Sequence, residues 1–104
     1  MVSVVDKPSI TEPAVPKSTV KVYETGENKL VCIADGNPPP TFTWKKGSET
    51  ITKFTTKRDT QNGVASTLTL SSISKDSTGV EYVCTASNPH GSASVTIELQ
   101  FGGK

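Results

Sequence analysis

Apolar and polar residues alternate along most of this chain, and the alternation has a period of two. From Lys29 to Ala34, Leu30, Cys32 and Ala34 fall on one side while Val31 and Ile33 fall on the other. Successive side chains of a β-strand point to opposite faces, so this stretch predicts a strand with Leu30, Cys32 and Ala34 on its inner face. The same rule turns Phe42 and Trp44 inward, with Thr43 and Lys45 outward. Ser66, Leu68 and Leu70 share an inner face that Ile73 closes off, and Tyr82, Cys84 and Ala86 alternate with Val83 and Thr85. Ala93, Val95, Ile97 and Leu99 make a long last strand. Thr19 to Tyr23 alternates as well, and the threonine-rich run from Ile51 to Thr60 predicts one or two short edge strands. No segment keeps a helical period over a useful length.

The breaks between these runs carry turn chemistry. Glu24-Thr25-Gly26-Glu27, Lys46-Gly47-Ser48-Glu49, Ser74 to Gly79 and Asn88-Pro89-His90-Gly91 read as turns. Asp35-Gly36-Asn37-Pro38-Pro39-Pro40 ends a strand with three prolines that fit neither a helix nor a central strand, so a stiff, projecting loop is expected. At Gln61-Asn62-Gly63 a tight hairpin is expected, because both central positions of a type I′ turn need positive φ. Val2 to Pro16 holds Pro8, Pro13 and Pro16. Proline has no ladder donor, so this segment belongs at a sheet edge, switching from one sheet to the other. Pro13-Ala14-Val15-Pro16 also fits a bare P-x-x-P ligand, a reading set below the edge strand. Seven or eight short strands with frequent turns predict an all-β sandwich, and 104 residues predict one domain.

Its centre is Cys32, Trp44 and Cys84. Two cysteines make an even count, and neither has a Cys or His nearby at metal-ligand spacing, so no metal or other cofactor is expected. A Cys32–Cys84 disulfide is favoured over two buried thiols, which stay open at this point. Closing a loop of that length would contribute ~4 kcal/mol. Burying the Trp44 indole adds roughly 4–6 kcal/mol as an upper bound.

Charge excludes several partners. Eleven Lys and Arg stand against ten acidic residues, a formal net charge of +1. That gives no general attraction to nucleic acid or an anionic membrane surface. No apolar run approaches the ~20 residues that span a bilayer, so direct membrane insertion is not expected. An initiating methionine with no leader behind it fits a domain excised from a longer protein, or a cytosolic one. Catalysis is not expected either. The single histidine, His90, sits in a loop reversal with no room for a buried third group behind it, and Asp76 and Glu81 face no cleft. Asn28, Asn37, Asn62 and Asn88 all lack an N-glycan acceptor pattern.

Leu30-x-Cys32-x-Ala34, Gly36-Asn37-Pro38-Pro39-Pro40 before Trp44-Lys45-Lys46-Gly47, Leu68-x-Leu70-x-x-Ile73, and Tyr82-x-Cys84-x-Ala86-x-Asn88-x-x-Gly91 together resemble the immunoglobulin superfamily, its I-set in particular. The resemblance covers nearly the whole chain, with a core of about residues 8–101. It implies an immunoglobulin-like two-sheet Greek-key sandwich in which Cys32 and Cys84 bridge the sheets and Trp44 packs against the bridge. Leu68 and Leu70 would lie in the core. Tyr82, two residues before the second cysteine, would be the tyrosine corner, its hydroxyl bonded to backbone just upstream. The short span from Phe54 to Asn62 leaves no room for the extra strands of a variable domain. One departure stands out: the family usually has an acidic residue where this chain has Thr78 and a Gly or Ala where it has Val80. Asp76 and Gly79 resemble those residues displaced by a longer turn, which leaves the Tyr82 partner open.

The resemblance implies a protein-binding module of a cell-surface adhesion molecule or receptor, meeting another protein, a second copy of itself or another immunoglobulin-type domain. The alternative is an intracellular sarcomeric or cytoskeletal domain that spaces its neighbours. Candidate binding residues are Asn37, Pro38, Pro39 and Pro40 in one loop and Asn88, Pro89 and His90 in another, because such a sandwich brings both loops to one end. The competing surface is a sheet face with Thr43, Lys45, Val83, Thr85 and Thr96 outward. A heparin-type glycan on Lys45, Lys46, Lys53, Lys57 and Arg58 is the weaker reading, since the fold divides those residues between two sheets.

Overall fold

The computed structural model describes residues 6–12, 17–24, 28–58, 63–70, 73 and 75–102. Among them, nine strands form: β1 (Asp6–Glu12), β2 (Lys17–Val22), β3 (Asn28–Asn37), β4 (Thr41–Lys46), β5 (Glu49–Ile51), β6 (Thr55–Arg58), β7 (Gly63–Leu70), β8 (Glu81–Asn88) and β9 (Gly91–Phe101). A single turn of 3-10 helix spans Lys75–Ser77. The strands build a four-stranded sheet in the order β1-β3-β7-β6 and a five-stranded sheet in the order β2-β9-β8-β4-β5. The connections β1–β2, β2–β3, β3–β4, β5–β6 and β7–β8 each cross from one sheet to the other, which is why short strands alternating in and out close a sandwich.

Register delivers the inward residues to a common layer. In the first sheet Leu30 pairs with Leu68, Cys32 with Ser66 and Ala34 with Val64. In the second, Trp44 pairs with Cys84 and Phe42 with Ala86, while Cys84 and Tyr82 meet Val95 and Ile97. These side chains, with Val22, Leu70, Ile73 and Leu99, form the buried core. The Cys32–Cys84 disulfide joins the two sheets through its middle.

The proline-rich start of the chain behaves as edge strand. β1 lies on the edge of the first sheet against β3, and β2 lies on the edge of the second, parallel to β9. The sheet switch falls between them, so Pro13, Pro16 and the P-x-x-P reading lie outside the described residues. β5 and β6 are the other two edges, as the threonine-rich run predicts.

β6 and β7 form the expected antiparallel hairpin, but the two-residue turn expected at Asn62-Gly63 needs correction. A two-residue turn there would pair position 61 with Val64, yet Val64 pairs with Arg58. Gly63 belongs to β7, opposite Asp35 of β3. Ladder pairing with the long β3 strand outweighs the local turn preference of Asn-Gly. Asn62 itself lies outside the described residues.

Candidate docking surface at the loop end

At one end of the sandwich the β3–β4 and β8–β9 connections meet. Asn88, the last residue of β8, holds them together: its Nδ2 donates to the Pro38 carbonyl at 3.0 Å, and its Oδ1 accepts from the His90 N–H at 2.9 Å. The second bond closes a local turn of the kind Asn favours, and the first ties it to the other loop. Gly36 allows the approach, since a Cβ there would lie 3.3 Å from Asn88 Nδ2. Beside it the Thr41 hydroxyl donates to the Ser87 carbonyl at 3.3 Å. The Asn37–Pro38 peptide is cis.

This arrangement sorts the seven loop residues singled out from sequence. Pro38, Pro39, Pro89 and His90 are exposed, Asn37 and Asn88 are half-buried, and Pro40 is buried. Pro40 therefore belongs to the sandwich and is withdrawn as a contact residue. The exposed four present apolar ring edges and one imidazole from backbone that proline and the Asn88 bonds already restrain. Such a surface loses little conformational entropy on contact. Among the described residues there is no group of His, Cys, Asp and Glu that could hold a metal ion.

The other residues singled out are internal. Cys32, Cys84 and Trp44 are fully buried, and Leu68, Leu70 and Tyr82 are buried beside them. Trp44 Nε1–H donates to the Ser66 hydroxyl at 2.8 Å. Ser66 was legible as an inward residue but not as the indole's partner. The signal was available: a hydroxyl on an apolar face needs a partner, and the indole N–H needs an acceptor.

The Tyr82 hydroxyl makes no hydrogen bond to a described residue of the β7–β8 turn. Burial, with Glu49 adding its charge, pushes its pKa above the usual phenol value. Thr78 and Gly79 organise the turn differently. Thr78 Oγ1 accepts from the Phe101 N–H at 2.8 Å, and the Gly79 N–H donates to the Leu99 carbonyl at 2.8 Å. Gly79 holds φ at 87°, a left-handed conformation that glycine adopts at no steric cost. The departure from the family pattern thus has its own job, which is to tie the turn to β9.

Asn28 was missed altogether. Its Oδ1 accepts from the Tyr23 N–H at 3.0 Å and its Nδ2 donates to the Tyr23 carbonyl at 2.8 Å, bracketing the β2–β3 connection.

The competing sheet face is less apolar than the loop end. Thr43 and Lys45 are exposed, and Val83, Thr85 and Thr96 are half-buried. On the same face Lys17 Nζ lies 3.1 Å from Glu81 and 3.7 Å from Glu98. The hydrogen bond and charge of Glu81, then the charge of Glu98, raise the Lys17 pKa above its ordinary value. Lys45 and Lys46 stand on β4 and Lys57 on β6, in different sheets, so they share no glycan-binding face.

The family model for an immunoglobulin domain matches residues 7–88. The chain belongs to the immunoglobulin domain family. It is 35% identical over 85 residues to contactin of Drosophila melanogaster, covering 82% of this chain and 6% of that one. Against neural cell adhesion molecule 1 of Mus musculus it is 38% identical over 77 residues, covering 69% of this chain and 7% of the other. Titin domain M7 superposes with a TM-score of 0.71 at 23% identity, covering 96% of this chain and 98% of that structure, a likeness of fold alone. The domain is thus of the kind found in cell-adhesion proteins, spanning a small fraction of the length of the relatives it matches.

Proposed function

We propose that this chain is one non-catalytic binding domain of a tandem cell-surface adhesion molecule or receptor, and that it meets another immunoglobulin-type domain with its loop end. The observation that carries the reading is the Asn88 clamp, which makes one restrained surface of two loops and leaves Pro38, Pro39, Pro89 and His90 outward. Its sequence relatives are adhesion proteins, and a disulfide is at home in an oxidising, extracellular compartment.

The experiment is a binding screen of the purified domain against ectodomains of immunoglobulin-type proteins, followed by alanine substitution. Asn37→Ala and His90→Ala together are expected to weaken a positive interaction by at least ~1 kcal/mol, about fivefold. If they bind normally while Val83→Glu abolishes binding in a folded domain, the sheet face is the docking site and the loop-end reading fails.

A further inference from the structure

The outer face of the first sheet carries a pattern that the loop-end reading leaves unused. Along β3 the outward residues are Lys29, Val31, Ile33, Asp35 and Asn37, and the first four set a cation, two apolar side chains and an anion in even steps. Val31 is 39% exposed, and among the described residues only Tyr23 is another large apolar side chain exposed to a similar degree. The neighbouring strand continues the apolar centre, because Val31 pairs with Thr67 and Ile33 with Ala65. The sequence has no N-glycan acceptor that could cover this face.

We infer that this face docks on the same face of a second copy, through a two-fold axis that lies between the sheets and crosses β3 at the level of Cys32. The charge order selects that occupant and that axis. Rotation about it runs the partner β3 antiparallel, sets Lys29 of each copy against Asp35 of the other, and stacks Val31 on Ile33 twice. An axis along the strands would instead oppose Lys29 to Lys29 and Asp35 to Asp35. Beside β3 the same operation brings Thr67 against Ala65, with no like charges opposed. The contact is isologous, so it closes at two copies and does not propagate.

Size sets its strength. Six residues of strand span about 20 Å, and two to three strands at about 4.8 Å give a patch of roughly 200–300 Å² per copy. A stable interface buries about 1,200 Å² or more in total, so this pairing is weak and concentrates where many copies are held side by side.

Sedimentation equilibrium on the purified domain from about 10 µM to about 1 mM is the test, at low and high salt. The weight-average mass is expected to rise toward that of a dimer at the upper end. Asp35→Lys should raise the dissociation constant at least about fivefold by opposing like charges. Lys29→Glu combined with Asp35→Lys should return it to within about threefold of the parent. Val31→Glu should leave a monomer, while His90→Ala leaves the association unchanged, so this inference and the loop-end reading fail separately. Trp44 fluorescence and a thermal midpoint confirm that each variant is folded. A parent that stays monomeric at about 1 mM, a Val31→Glu variant that associates like the parent, or a double swap that restores nothing overturns the inference.

Discussion

The two ends of the sandwich are each tied by an asparagine, and the surroundings of the two residues differ. Asn28, at the start of β3, is buried and brackets Tyr23 with reciprocal bonds to its N–H and carbonyl. Around it the chain is stitched to β9 and the residue that follows it: Gly102 N–H donates to the Val22 carbonyl, Gly79 N–H to the Leu99 carbonyl, and Phe101 N–H to the Thr78 hydroxyl. Asn88, at the end of β8, is half-buried, and its bonds to Pro38 and His90 are exposed. The first end spends its polar groups on the fold. The second holds two loops together and keeps their outer surface open, which is why docking is proposed there.

Stability measurements can break this comparison, and the largest effect belongs to Asn28. Asn28→Ala removes two bonds and leaves part-buried backbone groups of Tyr23 without their partner, an expected loss of about 1–3 kcal/mol in urea unfolding. Asn88→Ala, whose bonds face water, should cost less than about 1 kcal/mol and act instead on partner binding. Equal losses at the two positions would erase the distinction between the ends.

Gly79→Ala comes next. A Cβ at this position meets nothing within 4 Å, so any loss comes from backbone strain at φ 87° and not from crowding. The expected loss is about 1–2 kcal/mol with an unchanged denaturant slope. A neutral result would mean that the turn can leave the left-handed conformation without losing its bond to Leu99, and the stitched end would be looser than the geometry implies.

The sandwich itself was legible because alternation leaves few choices: once Cys32, Trp44 and Cys84 face inward, their strands must meet in two sheets. The proline-bearing start was legible for a matching reason, since a missing donor confines a strand to an edge. Gly63 was misread because its turn preference is local, whereas its pairing with Asp35 depends on the length of β3. Asn28 was missed because its partner is backbone five residues earlier, and no pattern shows where a turn returns. At the loop end the residue types were readable, but Pro40 could be told from Pro38 and Pro39 only by its burial.

The smallest effect is expected at Tyr82, where the family resemblance and the observed turn differ most. A hydroxyl bonded to buried backbone would make Tyr82→Phe cost about 1–3 kcal/mol. The hydroxyl makes no such bond to the described residues of the turn, so the expected change at neutral pH is within about 0.5 kcal/mol, as for an ordinary surface substitution. The phenol still shows itself in alkali. Its folded pKa is raised, first by burial and then by Glu49, above the unfolded value. The neutral phenol therefore contributes a stability that is fully present below about pH 10 and is lost as the pH climbs through the folded pKa. Lys17 adds a loss of the same sign at high pH, since Glu81 and Glu98 raise its pKa too. Subtracting the Tyr82→Phe curve from the parent curve removes that shared part. The parent should lose stability more steeply than the variant above about pH 10, while the two coincide near neutrality. A gap already open at pH 7 would restore the tyrosine corner and place the hydroxyl on the turn; parallel curves throughout would mean that burial and Glu49 leave the phenol untouched.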